Sequence, residues 1–507
     1  MSNTNIIGID LGTTMSAIAK LNQVGEPEII PNKDGDRIMP SVINFSKNSV
    51  LVGKEAKNSA PEDPERVAKE FKREMHNPDY RFTVDSKDYT AYELSSFILK
   101  KLAQDAAQDI GEIKKVVISV PAYFKENQRN ATMEAGKLAG LDVIGIINEP
   151  TAAAIYYAKK SDIKGKGLVY DLGGGTFDVT VTKTDGQDVQ ILASEGDHHL
   201  GGVDFDKAIL EIMEEKYKSE TGGILYGDEG SRQEFLLLAE EIKKGLSKKE
   251  VVKKKLRGEN GNVLVEISQS EFEEKISIFI SKTELLVEQV MDEANMEAKD
   301  FDYILLVGGS TRIPAIKKSI KNLMGKEPLD AVNVDEAVAL GAALKAGLVM
   351  LKDSPNEVAP AIKNNIDGIM VQDVANHSYG AIVLNFDTRL DKYVDTNAII
   401  ITKNLPLPNI STDTFFTTSE GQEKVSIKIT QGEGEDPDFV DKIDEIVLSL
   451  PGGRPASQPL EVTYSYDENQ IMHCKVTDVN SGRSEEKKLN LAKEGSSTNP
   501  LEAFIVN

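Results

Sequence analysis

The segment Ile6-Ile7-Gly8-Ile9-Asp10-Leu11-Gly12-Thr13-Thr14 is an apolar strand that delivers an aspartate and then a Gly-Thr-Thr turn. The same order recurs far downstream in Leu168-Val169-Tyr170-Asp171-Leu172-Gly173-Gly174-Gly175-Thr176-Phe177-Asp178. Glycine lets backbone approach a phosphate closely, and N–H groups and hydroxyls can donate to it. An aspartate would repel a phosphate directly, so its place beside such a turn makes sense if Mg²⁺ lies between them. A duplicated phosphate loop constrains the fold strongly: two facing loops can hold one nucleotide's phosphates from both sides. The plainer alternative, two glycine-rich hairpins without a ligand, requires the same ordered pattern to arise twice by chance.

A third segment, Ile304-Leu305-Leu306-Val307-Gly308-Gly309-Ser310-Thr311-Arg312-Ile313-Pro314, ends a strand in a Gly-Gly turn. Alone it is an ordinary turn. Beside two phosphate loops it reads as a place where a flat base lies against backbone, with Arg312 stacked on it. Glu149, in Asn148-Glu149-Pro150-Thr151, precedes a proline at a helix start, which holds its carboxylate near a helix N-terminus. A capping acid is the alternative there.

From Ile6 to about Leu351 short apolar strands alternate with helical stretches. Strands are expected at Ile6 to Ile9, Val116 to Val120, Leu168 to Tyr170 and Ile304 to Val307. Helices are expected from Lys125 to Leu138 and from Lys275 to about Val290, the latter with Ile276, Phe279, Ile280, Val287 and Val290 on one face. This is an α/β pattern. Lys352 to Asn365 reads as a loose crossing. From Val374 the period becomes two, as in Val425, Ile427 and Ile429 or Val462, Tyr464 and Tyr466, which predicts an antiparallel β-sandwich to about Leu491. The expected division is residues 1–355, an α/β unit; 356–373, a linker; 374–491, the sandwich; and 492–507, a tail.

Composition removes several classes of function. The 507 residues carry 82 acids and 59 bases, a formal charge of -23. Acidity of this size argues against nucleic acid and against anionic membrane as partners. No run is long enough to span a bilayer, and Met1 to Ile9 has no signal-like features, so a cytoplasmic protein is expected. The single cysteine, Cys474, excludes an intrachain disulfide and reads as a small residue in a strand. The basic run Lys243 to Arg257 reads as a solvated helix face. The adjacent pair His198-His199 lacks further ligands nearby, and a metal site there is rejected.

Taken together, these motifs resemble the DnaK-type heat-shock chaperone family, the seventy-kilodalton class, over nearly the whole chain. The resemblance implies an actin-like two-lobed ATPase followed by a peptide-binding β-sandwich, in a short form without the family's helical lid. It implies that Asp10 and Asp171 position hydrated Mg²⁺ and that Lys72, Glu149, Asp171, Thr176 and Asp178 act in hydrolysis. Gly12, Thr13, Thr14, Met15, Gly173, Gly174, Gly175, Gly201 and Gly202 would lie along the phosphates. Glu240, Lys243, Lys244 and Ser247 would form one adenosine wall, and Gly308, Gly309, Ser310, Arg312 and Asp335 the other. ATP, ADP and Mg²⁺ are the implied cofactors, with K⁺ a further candidate. Leu384, Phe416, Val425 and Ile427 would line a peptide channel, although inward apolar residues of a plain sandwich core look the same.

The implied partners are unfolded or extended peptides, a J-domain co-chaperone and a nucleotide-exchange factor. Gly145 stands where the family often has an arginine on the J-domain face, which puts that partner in question. The linker Ile369-Met370-Val371-Gln372-Asp373 is less apolar than the family's, and the stretch from Lys72 to Tyr92 is shortened. Two other classes stay open: a nucleotide-gated interaction protein without refolding activity, and a small-molecule kinase of the actin-like superfamily.

Overall fold

The computed structural model describes residues 5–46, 49–161, 163–329, 333–389, 391–467, 471–489, 499, 501 and 505–506. The duplication seen in the motifs is also a duplication of topology. In the first lobe, Ile7–Asp10 forms an antiparallel hairpin with Met15–Leu21 and runs parallel to Lys115–Val120 on its other side. In the second lobe, Gly165–Leu172 pairs antiparallel with Phe177–Asp185 and parallel with Tyr303–Val307. Each phosphate loop is therefore the hairpin turn at the end of a central strand. The central strands are buried on both faces and carry continuous apolar runs, as covered parallel strands require.

Helices Glu149–Ser161 and Ala337–Asp353 cross between the two sheets, and small residues let them approach closely. A Cβ on Gly341 would fall 1.8 Å from the Ala152 carbonyl oxygen, and one on Gly8 would fall 2.1 Å from the Ala343 nitrogen. Backbone cannot retreat as a flexible side chain can. Gly341→Val is therefore expected to destabilise the lobes by about 3 kcal/mol or more, read as a fall of several degrees in the melting temperature. An unchanged melting curve would show that the crossing is loose.

The chain from Tyr379 forms two four-stranded antiparallel sheets. Tyr379–Asp387, Lys392–Ile401, Lys424–Gln431 and Asp441–Ser449 make one. Asn409–Phe416, Pro459–Tyr466, Met472–Asp478 and Ser484–Lys488 make the other. Their inner faces bury Ile401, Ile427, Ile429, Val462 and Val476, and the Tyr464 hydroxyl ties the sheets by donating to the Gly380 carbonyl at 2.6 Å. Cys474 lies in this core, where burial pushes its thiol up to about 12 and leaves it unreactive.

Two expectations are corrected. Lys253 to Arg257 is not on a helix: it lies in the strand Val251–Gly258, paired with Gly261–Ser268. The alternation Val252, Lys253, Lys254, Lys255, Leu256 is strand-like, and the lysines disguised it. The crossing over 352–365 is largely helical, because Pro355 and Pro360 open a 3-10 turn and the helix Pro360–Ile366, where a missing N–H costs nothing. The expected Lys275-to-Val290 helix is present as Ser277–Glu293, and a separate short helix, Gln269–Lys275, precedes it, with the buried Ile276 between them. Most of 492–507 lies outside the described residues. Within it Ile505–Val506 runs parallel to Ser49–Val50, and Leu501 is buried.

Candidate nucleotide site

The two phosphate loops touch. A Cβ on Gly174 would lie 2.0 Å from the Thr14 hydroxyl oxygen, and one on Gly175 would lie 2.4 Å from the Thr13 methyl carbon. Only glycine fits where the second loop lies on the first. The second loop is also pinned to its own lobe: the Gly173 N–H donates to the Thr176 carbonyl at 3.1 Å, and the Gly173 carbonyl accepts from Ser310 Oγ at 2.8 Å. The Gly202 and Val203 amides, at the start of helix Gly202–Thr221, donate to the Gly173 and Gly174 carbonyls.

Between the lobes lies a cleft of about 700 Å³, which is within the range of small-molecule sites. Every nucleotide-site residue expected from sequence lines it except Gly175, Gly201 and Asp178. Gly175 and Gly201 are packed behind it, against Thr13 and against the Gly174 backbone respectively. Asp178 is buried beside the Tyr123 amide, which donates to its Oδ1 at 3.1 Å.

The floor of the cleft is a concentration of carboxylates around one lysine. Lys72 Nζ donates to Glu149 Oε1 at 2.7 Å, with both side chains buried, and sits 5.5 Å from the centre of the Phe124 ring. Burial, reinforced by Glu149, pushes Asp10 up to about 7 and Asp178 up to about 8. Asp171 is raised well above the usual carboxylate range by burial, Glu149, Asp178 and Asp10. Ser119 Oγ donates to Asp10 at 2.7 Å. Such a set is deficient in positive charge, so a divalent cation fits it electrostatically. Among the described residues no group of three His, Cys, Asp or Glu is arranged to hold a metal ion directly.

Residues from the helix Glu229–Leu246 and from the turn Gly309–Arg312 both line the cleft. Lys243 Nζ bonds the Gly202 carbonyl at 2.8 Å and pairs with Asp206 at 2.7 Å. Burial works to raise the Glu240 carboxyl, but the ammonium groups of Lys57 and Lys244 hold it down at about 2. On the opposite wall Arg312 is largely exposed and pairs with Asp335 at 2.6 Å, so its guanidinium is held at the rim.

Several residues that matter here were not singled out from sequence. Lys57 bonds Glu240 across the cleft. Arg73 makes a two-pronged pair with Asp204 and also donates to the Gly175 carbonyl. Arg129, wholly buried, donates to the Ala122 and Phe124 carbonyls and to Asn148. Its position one turn into the helix after Pro121-Ala122-Tyr123-Phe124 was the available signal. Asp373 in turn accepts from Asn148 at 3.1 Å and Thr151 at 3.2 Å.

In the sandwich, Leu384 and Phe416 are exposed, Val425 is partly buried and Ile427 is in the core. Leu384, Val425 and Ile427 share one sheet and Phe416 belongs to the other. Gly145 is buried opposite Val117 in the edge strand Asp142–Asn148.

Known sequences agree with this geometry. The family model described as Hsp70 protein matches residues 6–505. The chain is 38% identical over 493 residues to "Chaperone protein DnaK" of Thermotoga neapolitana, covering 95% of this chain and 79% of that protein. The protein of the same name from Thermotoga maritima gives the same figures, and that of Thermosipho africanus is 38% identical over 492 residues with the same coverage. The chain belongs to the Hsp70 family of ATPases.

Proposed function

We propose that the chain is an ATP-dependent molecular chaperone in which Mg·ATP binding and hydrolysis control the grip of the sandwich on extended peptide. The observation that carries this reading is a hydrogen-bonded path from the cleft floor to the sandwich. Glu149 begins a helix whose Thr151, with the preceding Asn148, holds Asp373, and Asp373 Oδ1 accepts from the amide of Val374 at the sandwich entrance. Segment 371–372 adds a strand to the second lobe beside Val189–Gln190. A change in the cleft therefore bears directly on the joint.

In this reading Asp10 and Asp171 hold Mg²⁺ through water, and Glu149 and Asp178 order the attacking water. Thr13, Thr14 and the glycines of the second loop carry the phosphates, and Lys72 faces the transferred group. Bound Mg²⁺ would supply charge neutralisation at the phosphates. Phosphoryl transfer needs alignment and charge compensation more than covalent help. K⁺ remains a candidate second ion. Exposed Leu384 and Phe416 would meet the peptide, whose backbone bonds and apolar side chains can be gripped without sequence specificity. The division of the chain at 355 and 374 belongs to the same proposal.

Peptide clients, a J-domain protein and an exchange factor are the partners of this reading. Gly145 offers a J-domain no charged side chain. Cytoplasmic location is part of the proposal; among the described residues no helix is long and apolar enough to cross a membrane.

The test is the ATPase rate with and without an extended apolar peptide, in wild type and Thr176→Ala. Thr176 is buried and lines the cleft. Stimulation by peptide is expected in the wild type, with its loss in the variant. A wild type that binds Mg·ATP but ignores peptide would favour the nucleotide-gated interaction protein. Transfer of phosphate to a metabolite would favour the kinase.

A further inference from the structure

The chain has five histidines, and His76, His198, His199 and His377 gather around one aromatic residue of the first lobe. The Tyr123 ring lies 4.8 Å from the ring of His377, which belongs to the sandwich, and 5.4 Å from that of His198, which follows the last long strand of the second lobe. His76 and His199 meet edge to face at 5.6 Å beside them. Tyr123 is thus a point where three bodies meet. His377 is 4% exposed, and its Nε2 donates to the Tyr123 carbonyl at 3.1 Å. We propose that His377, seated on Tyr123 beside His198, supports the docking of the sandwich on the lobes only while its ring is uncharged.

The surroundings disfavour a charged imidazole. Three cations face His377: Lys125 and Arg129 from the first lobe and Lys403 from the sandwich. The carboxylates of the joint are already engaged. Glu126 accepts from Tyr379, Glu195 and Glu293 both bind Lys403, and Glu433 accepts from the Ser378 amide. Asp197, beside His198, holds Lys282. His198 itself faces His199, Asp197, Lys125 and His76.

Burial, aided by Arg129, Lys125 and Lys403, pushes His377 down to about 3, and burial with His199 pushes His198 down to about 4. When the sandwich leaves the lobes, the His377 ring loses Tyr123, meets water and returns to about 6.5, while His198 keeps its ring contacts with Tyr123 and Phe124 within the lobes. The open form then binds more protons than the docked form. The imidazole contribution to docking is therefore full above pH of about 6.5 and is lost as the pH falls through that value. Two carboxyls act in the opposite sense: burial raises Glu126 and Glu195 to about 7 in the docked form, so they take up protons there and favour docking as the pH falls. The imidazole contribution is therefore read from a variant against wild type.

Docking is measured on the full chain, without nucleotide and with Mg·ATP, as hydrogen-exchange protection of the Val371 and Gln372 amides after correction for intrinsic rates. His377→Gln keeps a donor for the Tyr123 carbonyl, and His377→Leu serves as a second uncharged variant. Between pH 7.5 and 5.5 the ratio of wild-type to variant protection is expected to fall about tenfold, one titrating group taken one unit below its free value. Histidine resonances should show the rings of His377 and His198 both staying neutral at pH 5.5 while docked. Superimposable profiles for wild type and both variants would overturn the proposal. So would absence of protection at pH 7.5, or titration of His377 near 6.5 in the docked chain. The readout needs neither hydrolysis nor peptide, so failure of the chaperone reading would be seen separately.

Discussion

Lys72→Ala is expected to slow ATP hydrolysis by about 10²–10³-fold, the usual cost of losing one well-placed charge donor at a developing negative charge, while ATP still binds. Lys72 is buried against Glu149 at 2.7 Å and over the Phe124 ring. It faces a floor on which Asp10, Asp171 and Asp178 are already raised by burial and by Glu149. Removing the ammonium leaves Glu149 buried without its cation. The cluster then relieves its charge by holding protons, and a protonated carboxyl neither orders water nor attracts a hydrated cation. Affinity should suffer less, because the two loops and the rest of the cleft lining are formed by other residues. Lys72→Arg should not rescue the rate: the planar guanidinium does not fit a niche shaped for a compact ammonium. Single-turnover hydrolysis beside equilibrium ATP binding separates the two quantities. If binding weakened and the chemical step were unchanged, Lys72 would be a binding residue only.

The nucleotide site was legible in sequence because its chemistry needs short, contiguous patterns. Asp10-Leu11-Gly12-Thr13-Thr14 and Asp171-Leu172-Gly173-Gly174-Gly175-Thr176 each place a carboxylate, a close-approach glycine and a hydroxyl on one turn, and the turns sit at matching points of two matching sheets. What the pattern could not show was contact between distant segments. The pair of Lys57 with Glu240, and the seating of His377 on Tyr123, join residues that no local spacing relates. The strand Val251–Gly258 was misread because its lysines alternate with residues that are only partly buried, so the period-two signal lacked contrast. In the sandwich the difficulty was different. Ile427 and Leu384 look alike in a sequence, yet one is buried and the other exposed. Which face of a strand is covered depends on the opposite sheet.

The joint between cleft and sandwich leads to the other large effect. Arg129→Ala should abolish stimulation of the ATPase by peptide and lower the unstimulated rate as well. The guanidinium is wholly buried. It donates to the Phe124 carbonyl at 3.0 Å, the Ala122 carbonyl at 3.0 Å and Asn148 Oδ1 at 2.7 Å. Those three acceptors fix the 121–124 loop, whose Tyr123 amide binds Asp178 and whose Phe124 ring supports Lys72. The same Asn148 holds Asp373, a buried carboxylate that Arg129 also stabilises through space. One side chain therefore joins the groups that align water to the segment that enters the sandwich. Its truncation would leave buried acceptors and a buried carboxylate without their cation, at a cost of about 3–5 kcal/mol. That cost falls on the docked arrangement, since the opened joint lets water reach the same groups. Lys cannot reproduce three bonds in one plane, so Arg129→Lys should behave like the alanine variant. Basal and peptide-stimulated rates, measured with thermal melts on the same preparations, would check this. A folded Arg129→Ala protein that kept full stimulation would show that the signal crosses elsewhere, through the strand at 371–372.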